Sequence, residues 1–246
     1  MSIIFKITYA AKVFLTSGRS LNSLLKKGAS VASTQILFNC RHYIPQLGTI
    51  IDAGANQGQF AIAASHFYPH ACIHSFEPLP DVYPILQRNT RHVSSITTYN
   101  MALGNSTGTL EFYSNAYSHA SSALQVSELQ KNMLPKTATS HKIETPVERL
   151  DDLSNQLHLT APVLLKMDVQ GFEKEVLKGA AQSLAQIDYL LFESSFIQMY
   201  DGEPLFDEMH DFVKALGFEL IAPVGFLQSE KLQILQMDLL YKRKSV

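Results

Sequence analysis

From residue 49 onward, short apolar runs alternate with segments of helical periodicity, and that alternation leaves very few folds open to the chain. The runs are TIID (49–52), ACIHSF (71–76), ITTYN (96–100), PVLLKMD (162–168), DYLLFE (188–193), FELIAP (218–223) and QILQMDLLY (233–241). Several are apolar without interruption, as strands covered on both faces tend to be. Helical patterns occupy 58–67, 79–91, 171–185 and 204–216. In the last of these Leu205, Phe206, Met209, Phe212, Val213 and Leu216 share one face, and Gly217 stops it. Alternating strand and helix predicts an open, mostly parallel α/β sheet of seven strands with helices on both faces. The last two runs have no helix between them, which predicts an antiparallel hairpin at the C-terminus.

One region departs from the alternation. Residues 105–147 contain GTLEFYSN and KIETPVE, which read as added strands. The polar, serine-rich AYSHASSALQVSELQKNMLPKTATS lies between them. An insertion of that length is either a substrate-side loop or lid, or a mobile surface loop.

The chain of 246 residues suffices for one large domain, and 46% apolar with 17% charged residues is a globular composition. A net charge of −2 gives no general attraction to nucleic acid. Two cysteines, Cys40 and Cys72, make no disulfide framework and lack metal-ligand spacing; they fit a reducing, cytoplasmic setting. Charge is unevenly placed, however. Lys6, Lys12, Arg19, Lys26, Lys27 and Arg41 all precede Asp52, and no acidic residue does. Residues 1–48 are therefore expected to form a basic helical extension ahead of the main domain at 49–246. That extension either packs on the domain or lies peripherally on an anionic membrane surface. A signal or anchor is a third option, but the apolar SIIFKITYAAKVFL is too short and too charged for a spanning helix.

In open α/β sheets ligands bind beyond the carboxyl ends of the strands. The first run ends at Asp52, so the loop Ala53–Gly54–Ala55–Asn56–Gln57–Gly58 belongs at that edge. Gly54 and Gly58 allow a tight turn and close approach to a ligand. The loop reads D-x-G-x-x-x-G, not the G-x-G-x-x-G of dinucleotide sites, and Asp52 would repel a pyrophosphate. A cationic cofactor without phosphate, S-adenosyl-L-methionine, suits the place. Glu77 follows the second run at once, 25 residues after Asp52, where a carboxylate can accept both hydroxyls of a ribose. Pro78 fixes the next turn. Met101, Ala102 and Leu103, after the third run, are candidates to line an adenine slot.

Beyond these residues, the chain resembles the FkbM family of S-adenosylmethionine-dependent methyltransferases from about residue 49 to about 200. The matching stretches are IIDAGANQGQFA, HSFEPLPDVYPILQRN, NMALGNSTGTLEFY, ASSAL, TPVERLDDL and LLKMDVQGFEKEVLKGA. The resemblance implies a class I methyltransferase (Rossmann-like) fold and O-methylation of a sugar, glycan or related natural-product hydroxyl. Gln170 departs from it, standing where the family often has glutamate. Residues 1–48 lie outside it.

Methyl transfer to a hydroxyl needs the acceptor held in line and its proton removed by a base or through a metal ion. Asp168 ends the fourth run at the cofactor edge and is the leading candidate, either for that work or as the cap of the helix near Gly171. Glu193 ends the fifth run at the same edge. His119, the only histidine of the serine-rich insertion, can act as a base near neutrality. Glu173 and Glu175 suit the first turn of a helix, and a lysine in a buried strand, Lys166, needs a salt-bridge partner. A divalent ion held by Asp168 and Glu193 stays open; no transition-metal motif is present. Two other readings compete with the methyltransferase. One is a nicotinamide-dependent oxidoreductase, which lacks its glycine fingerprint. The other is an inactive cofactor-binding scaffold in a glycan-assembly complex, against which the intact loop, Glu77 and Asp168 argue.

Overall fold

The computed structural model describes residues 30–229 and 231–244. The first five lysines and arginines of the basic segment lie outside the described residues, and with them the membrane-surface expectation. The described chain begins with α1 (Val31–Cys40), capped by the Ser30 hydroxyl, which accepts from the amide of Ser33. Next come β1 (Thr49–Ala53), α2 (Gln59–Phe67), β2 (Cys72–Phe76), α3 (Tyr83–Thr90) and β3 (Ile96–Tyr99). The second half contains α5 (Leu150–Leu157), β7 (Val163–Met167), α6 (Glu173–Lys178), β8 (Tyr189–Ser195), α7 (Phe206–Ala215), β9 (Phe218–Gln228) and β10 (Ile234–Arg243). Between the halves lie β4 (Ala102–Leu103), β5 (Gly108–Asn115), α4 (Glu128–Met133) and β6 (Ser140–Glu148).

The seven-stranded sheet has the order β3-β2-β1-β7-β8-β10-β9, parallel except at the β9–β10 hairpin. This is the expected fold class. The insertion builds its own three-stranded sheet, β4-β6-β5, from both added strands and from Ala102–Leu103, which the sequence placed at the end of β3.

Adjacent strand residues point to opposite faces, and each face has its own core. Ile50, Ile73, Leu164, Leu191 and Leu240 pack with Phe60, Ala61, Ala64 and Phe67 of α2. Ile51, Phe76, Leu165, Leu190 and Leu239 pack with Leu150, Val176, Met209 and Val213 of α5, α6 and α7. The leucine, isoleucine, valine, methionine and phenylalanine side chains among them each contribute about 1.5–3 kcal/mol. From α1, Leu37 and Cys40, followed by Ile44 and Leu47, join the first of these cores, so this part of the extension is packed on the domain. The helix expected over 171–185 is shorter. It ends at Gly179, where a Cβ would stand 1.8 Å from the carbonyl oxygen of Gly104; the backbones approach too closely for a side chain.

Candidate active site

The strands end together. The amides of Gly54 and Ala55 donate to the Phe76 carbonyl at 3.0 and 2.9 Å, and the Asp168 amide donates to Ala53 at 3.0 Å. These bonds bring the loops after β1, β2 and β7 to one edge. Gly54 has φ +75°, and a Cβ there would meet the Asp168 carbonyl at 2.0 Å. Gly58, φ +90°, enters α2. The first glycine is therefore required twice over, by its dihedral and by close approach.

Two cavities open at this edge. The first runs between Gly54, Asn56, Glu77, Pro78, Ala102 and Leu103, with Phe112, His119 and Phe172 around them. Glu77 is buried; its two oxygens accept from the amides of Asn56 at 2.7 Å and Leu79 at 2.9 Å. Burial nevertheless pushes its carboxyl up to about 7. A carboxylate oxygen has room for a second donor, so both can still accept from a ligand. The glycine cradle, this carboxylate and the apolar wall fit S-adenosylmethionine.

Other expected cofactor residues fall elsewhere. Met101 packs against the core. Gln57 lies outside the lining; its amide donates to the Asn56 side chain, and its carbonyl accepts from Asn89. Ala55 faces the second cavity. Asp52 lines neither; it is fully buried and ion-paired to Lys166 at 2.8 Å. The Lys166 ammonium also donates to the Gly54 carbonyl at 3.1 Å, bracing the loop from beneath. Burial alone would lower its pKa, but Asp52 and Asp168 outweigh burial and hold it above the usual lysine value.

The second cavity adjoins the first and shares Gly54, Asn56, His119 and Asp168 with it. Asp168, Glu193 and Asp238 line it, roofed by Ser30, Ala32, Ser33 and Ile36 at the start of α1. Register makes this cluster: Asp238 of β10 sits directly opposite Glu193 of β8. Burial pushes Asp238 up to about 7, aided by the charge of Asp168. Burial, with Asp168, Asp238, Glu173 and Glu203 around it, holds Glu193 well above the carboxylate range. Asp168 itself is exposed to the cavity. It does not cap α6, whose N-cap is Phe172. That loop is held instead by Glu173, buried, accepting from the amides of Val169 at 3.1 Å and Gly171 at 3.4 Å. It stands in the first turn of α6, as expected, and burial pushes its carboxyl up to about 8. Glu175 is the surface acid, paired with Lys178.

The insertion closes over both cavities. Ser118 meets the Asn56 side chain at 3.2 Å, and His119 Nε2 meets the Gln59 amide at 3.5 Å. Burial lowers the His119 pKa, favouring the neutral ring that a base requires. Asp238 and the α1 wall were missed from sequence. The signal for Asp238 was present, an acid inside the apolar ILQMDLLY. Among the described residues no group of three or more His, Cys, Asp or Glu side chains is disposed to hold a metal ion. No described helix is long and apolar enough to cross a membrane.

Residues 52–220 match the methyltransferase FkbM domain. The chain is 28% identical to Methyltransferase 1 of Beauveria bassiana over 71% of its own length and 73% of that protein's. It is 25% identical to the 2-O-methyltransferase NoeI of Sinorhizobium fredii, over 70% and 73% of the two chains. It is 25% identical, with the same coverage, to the 31-O-demethyl-FK506 methyltransferase FkbM of Streptomyces tacrolimicus.

Proposed function

Since the chain belongs to the FkbM family and is an S-adenosylmethionine-dependent methyltransferase, we propose that its acceptor is a hydroxyl of a sugar, glycan or related natural product. The relatives named for O-methylation support oxygen as the acceptor atom. One observation carries the site assignment: the glycine-cradled cavity and the carboxylate-lined cavity meet at Asp168 and His119. In this reading Gly54, Asn56, Glu77, Pro78 and Ala102 hold the cofactor, with Glu77 on the ribose hydroxyls. Asp52 acts at one remove, through Lys166 and the Gly54 carbonyl.

When bound, S-adenosylmethionine supplies an electrophilic methyl group. The acceptor hydroxyl enters from the second cavity, and Asp168 takes its proton. Glu193 and Asp238, whose carboxyls hold protons more tightly than usual, can donate hydrogen bonds to neighbouring hydroxyls of the acceptor. Neutral His119 is the second base within the shared wall. We assign the enzyme to the cytoplasm on its two unpaired cysteines, and the basic charge of residues 1–48 suits peripheral contact with an anionic membrane.

The test is direct. Purified protein, tritiated S-adenosylmethionine and a panel of oligosaccharides should give a labelled product whose mass rises by one methyl group. Glycans from a strain lacking the protein should miss the same increment. Transfer to nitrogen or carbon acceptors alone would sink the proposal.

A further inference from the structure

Gln170 is held in an unusual way. It has φ +57° and is followed by Gly171 at φ +92°, two successive left-handed residues just after β7. A non-glycine residue in that region carries a cost and persists only where its surroundings impose it. Here they do. The Ser122 hydroxyl of the insertion donates to the Gln170 carbonyl at 2.7 Å. The tight turn swings the Gln170 amide back between two acids. Nε2 donates to Asp168 Oδ1 in a short contact and to Glu193 Oε2 at 3.4 Å. Oε1 accepts from the Tyr200 hydroxyl at 2.6 Å, which fixes which end of the amide faces the acids. Tyr200 is fully buried and bridged to Val126 of the insertion. From the other side, Gln236 Nε2 donates to Glu193 Oε2 at 2.8 Å.

We propose that Gln170 is a positioning residue, its amide clamping Asp168 in the orientation that meets the acceptor while keeping it apart from Glu193. The proposal rests on Asp168 as the base. In this chain a neutral donor fills a place where the family often has glutamate, and its amide hydrogens are what reach the two acids. A carboxylate at 170 would have no N–H to offer either acid. It would also add charge to a setting that already holds Asp238 of β10, Glu173 of α6 and Glu203. Lys166 and His119 are the cationic or titratable groups opposite. Through Tyr200 and its bridge to Val126, the clamp is tied to the docked insertion.

The experiment compares Gln170→Glu, Gln170→Ala, Tyr200→Phe and Asp168→Asn in the full chain. The carboxyl groups of Asp168 and Glu193 are titrated by NMR with ¹³C-carboxyl labelling, which needs no acceptor. Turnover and KM are measured with methyl glycosides of neutral hexoses. In Gln170→Glu the Glu193 carboxyl should titrate higher than in wild type. Both Gln170 variants should lose about tenfold or more in kcat, with cofactor KM unchanged. Tyr200→Phe should lose less, in kcat alone. Wild-type titration and kcat in both Gln170 variants would overturn the clamp. Normal turnover in Asp168→Asn would overturn the base assignment, while the titrations would still report whether the clamp exists.

Discussion

Asp52 and Lys166 are ion-paired at 2.8 Å, side by side in register on β1 and β7, and both are buried. Removing one partner leaves the other charged and out of water, which costs about 3–5 kcal/mol. Lys166→Met should therefore lower stability by that amount in urea denaturation. It should also weaken S-adenosylhomocysteine binding, because the Gly54 carbonyl loses its brace. Combining it with Asp52→Leu should recover much of the stability but not the affinity. Equal recovery of both would mean that the pair serves the fold alone.

Glu77→Ala removes the acceptor assigned to the ribose and frees the amides of Asn56 and Leu79. A hydrogen bond to a charged group is worth about 1.5–3 kcal/mol, so affinity for S-adenosylhomocysteine should fall roughly ten- to a hundredfold. Isothermal titration measures it. Unchanged affinity would move the cofactor away from this carboxylate.

Leu37→Ala tests whether α1 is part of the domain. Leu37 is fully buried beneath the helix that roofs the second cavity. The loss should be about 2–5 kcal/mol in thermal or chemical unfolding. Ile36→Ala, on the cavity wall, should raise acceptor KM and leave cofactor binding alone. A stable Leu37→Ala protein would return residues 31–40 to the status of an appendage.

Strand ends were legible because apolar runs stop abruptly: Glu77 and Asp168 stand at the carboxyl edge where the sequence put them. Register was not. Nothing local tells that Asp238 will face Glu193, or that Lys166 will find Asp52, since both pairings join segments far apart in the chain. The break at Gly179 depends on the approach of Gly104, again a long-range event. The cavity wall supplied by α1 lay outside any recognisable motif. Glu173 is in the first turn of α6 as expected; its burial was not legible, because it comes from the loop wrapped around it.

Stability should fall as pH rises from about 6.5 to about 8. Burial raises Glu77 and Asp238 to about 7 and Glu173 to about 8, and raises Glu193 and Glu203 as well. A group with a raised folded pKa stabilises fully below its unfolded pKa and loses that contribution as pH climbs through the folded value. His74 and His119 are lowered by burial, so their contribution is lost only as pH falls from about 6.5. The window above that belongs to the carboxyls. Urea midpoints across it should decline, and less so in Glu173→Gln. A flat profile would mean that these acids ionise in the fold as they do in water.

Asp168→Asn separates chemistry from binding. The residue is exposed to the cavity shared by both halves of the site, and its side chain caps no helix, so little of the fold depends on its charge. Asparagine keeps the shape and can still accept the Gln170 amide. It cannot take a proton from an acceptor hydroxyl. If Asp168 is the base, turnover should drop by about 10²-fold or more. Cofactor affinity and melting temperature should hold, because Glu77, Gly54 and the ion pair beneath them are untouched. Adding magnesium, and removing it with a chelator, then tests whether the role of Asp168 runs through an ion. If the variant turns over normally, the remaining candidates for the base are Glu193 and His119. The neutral ring of His119 lies in the same wall, and His119→Ala should show the loss instead if it is the base.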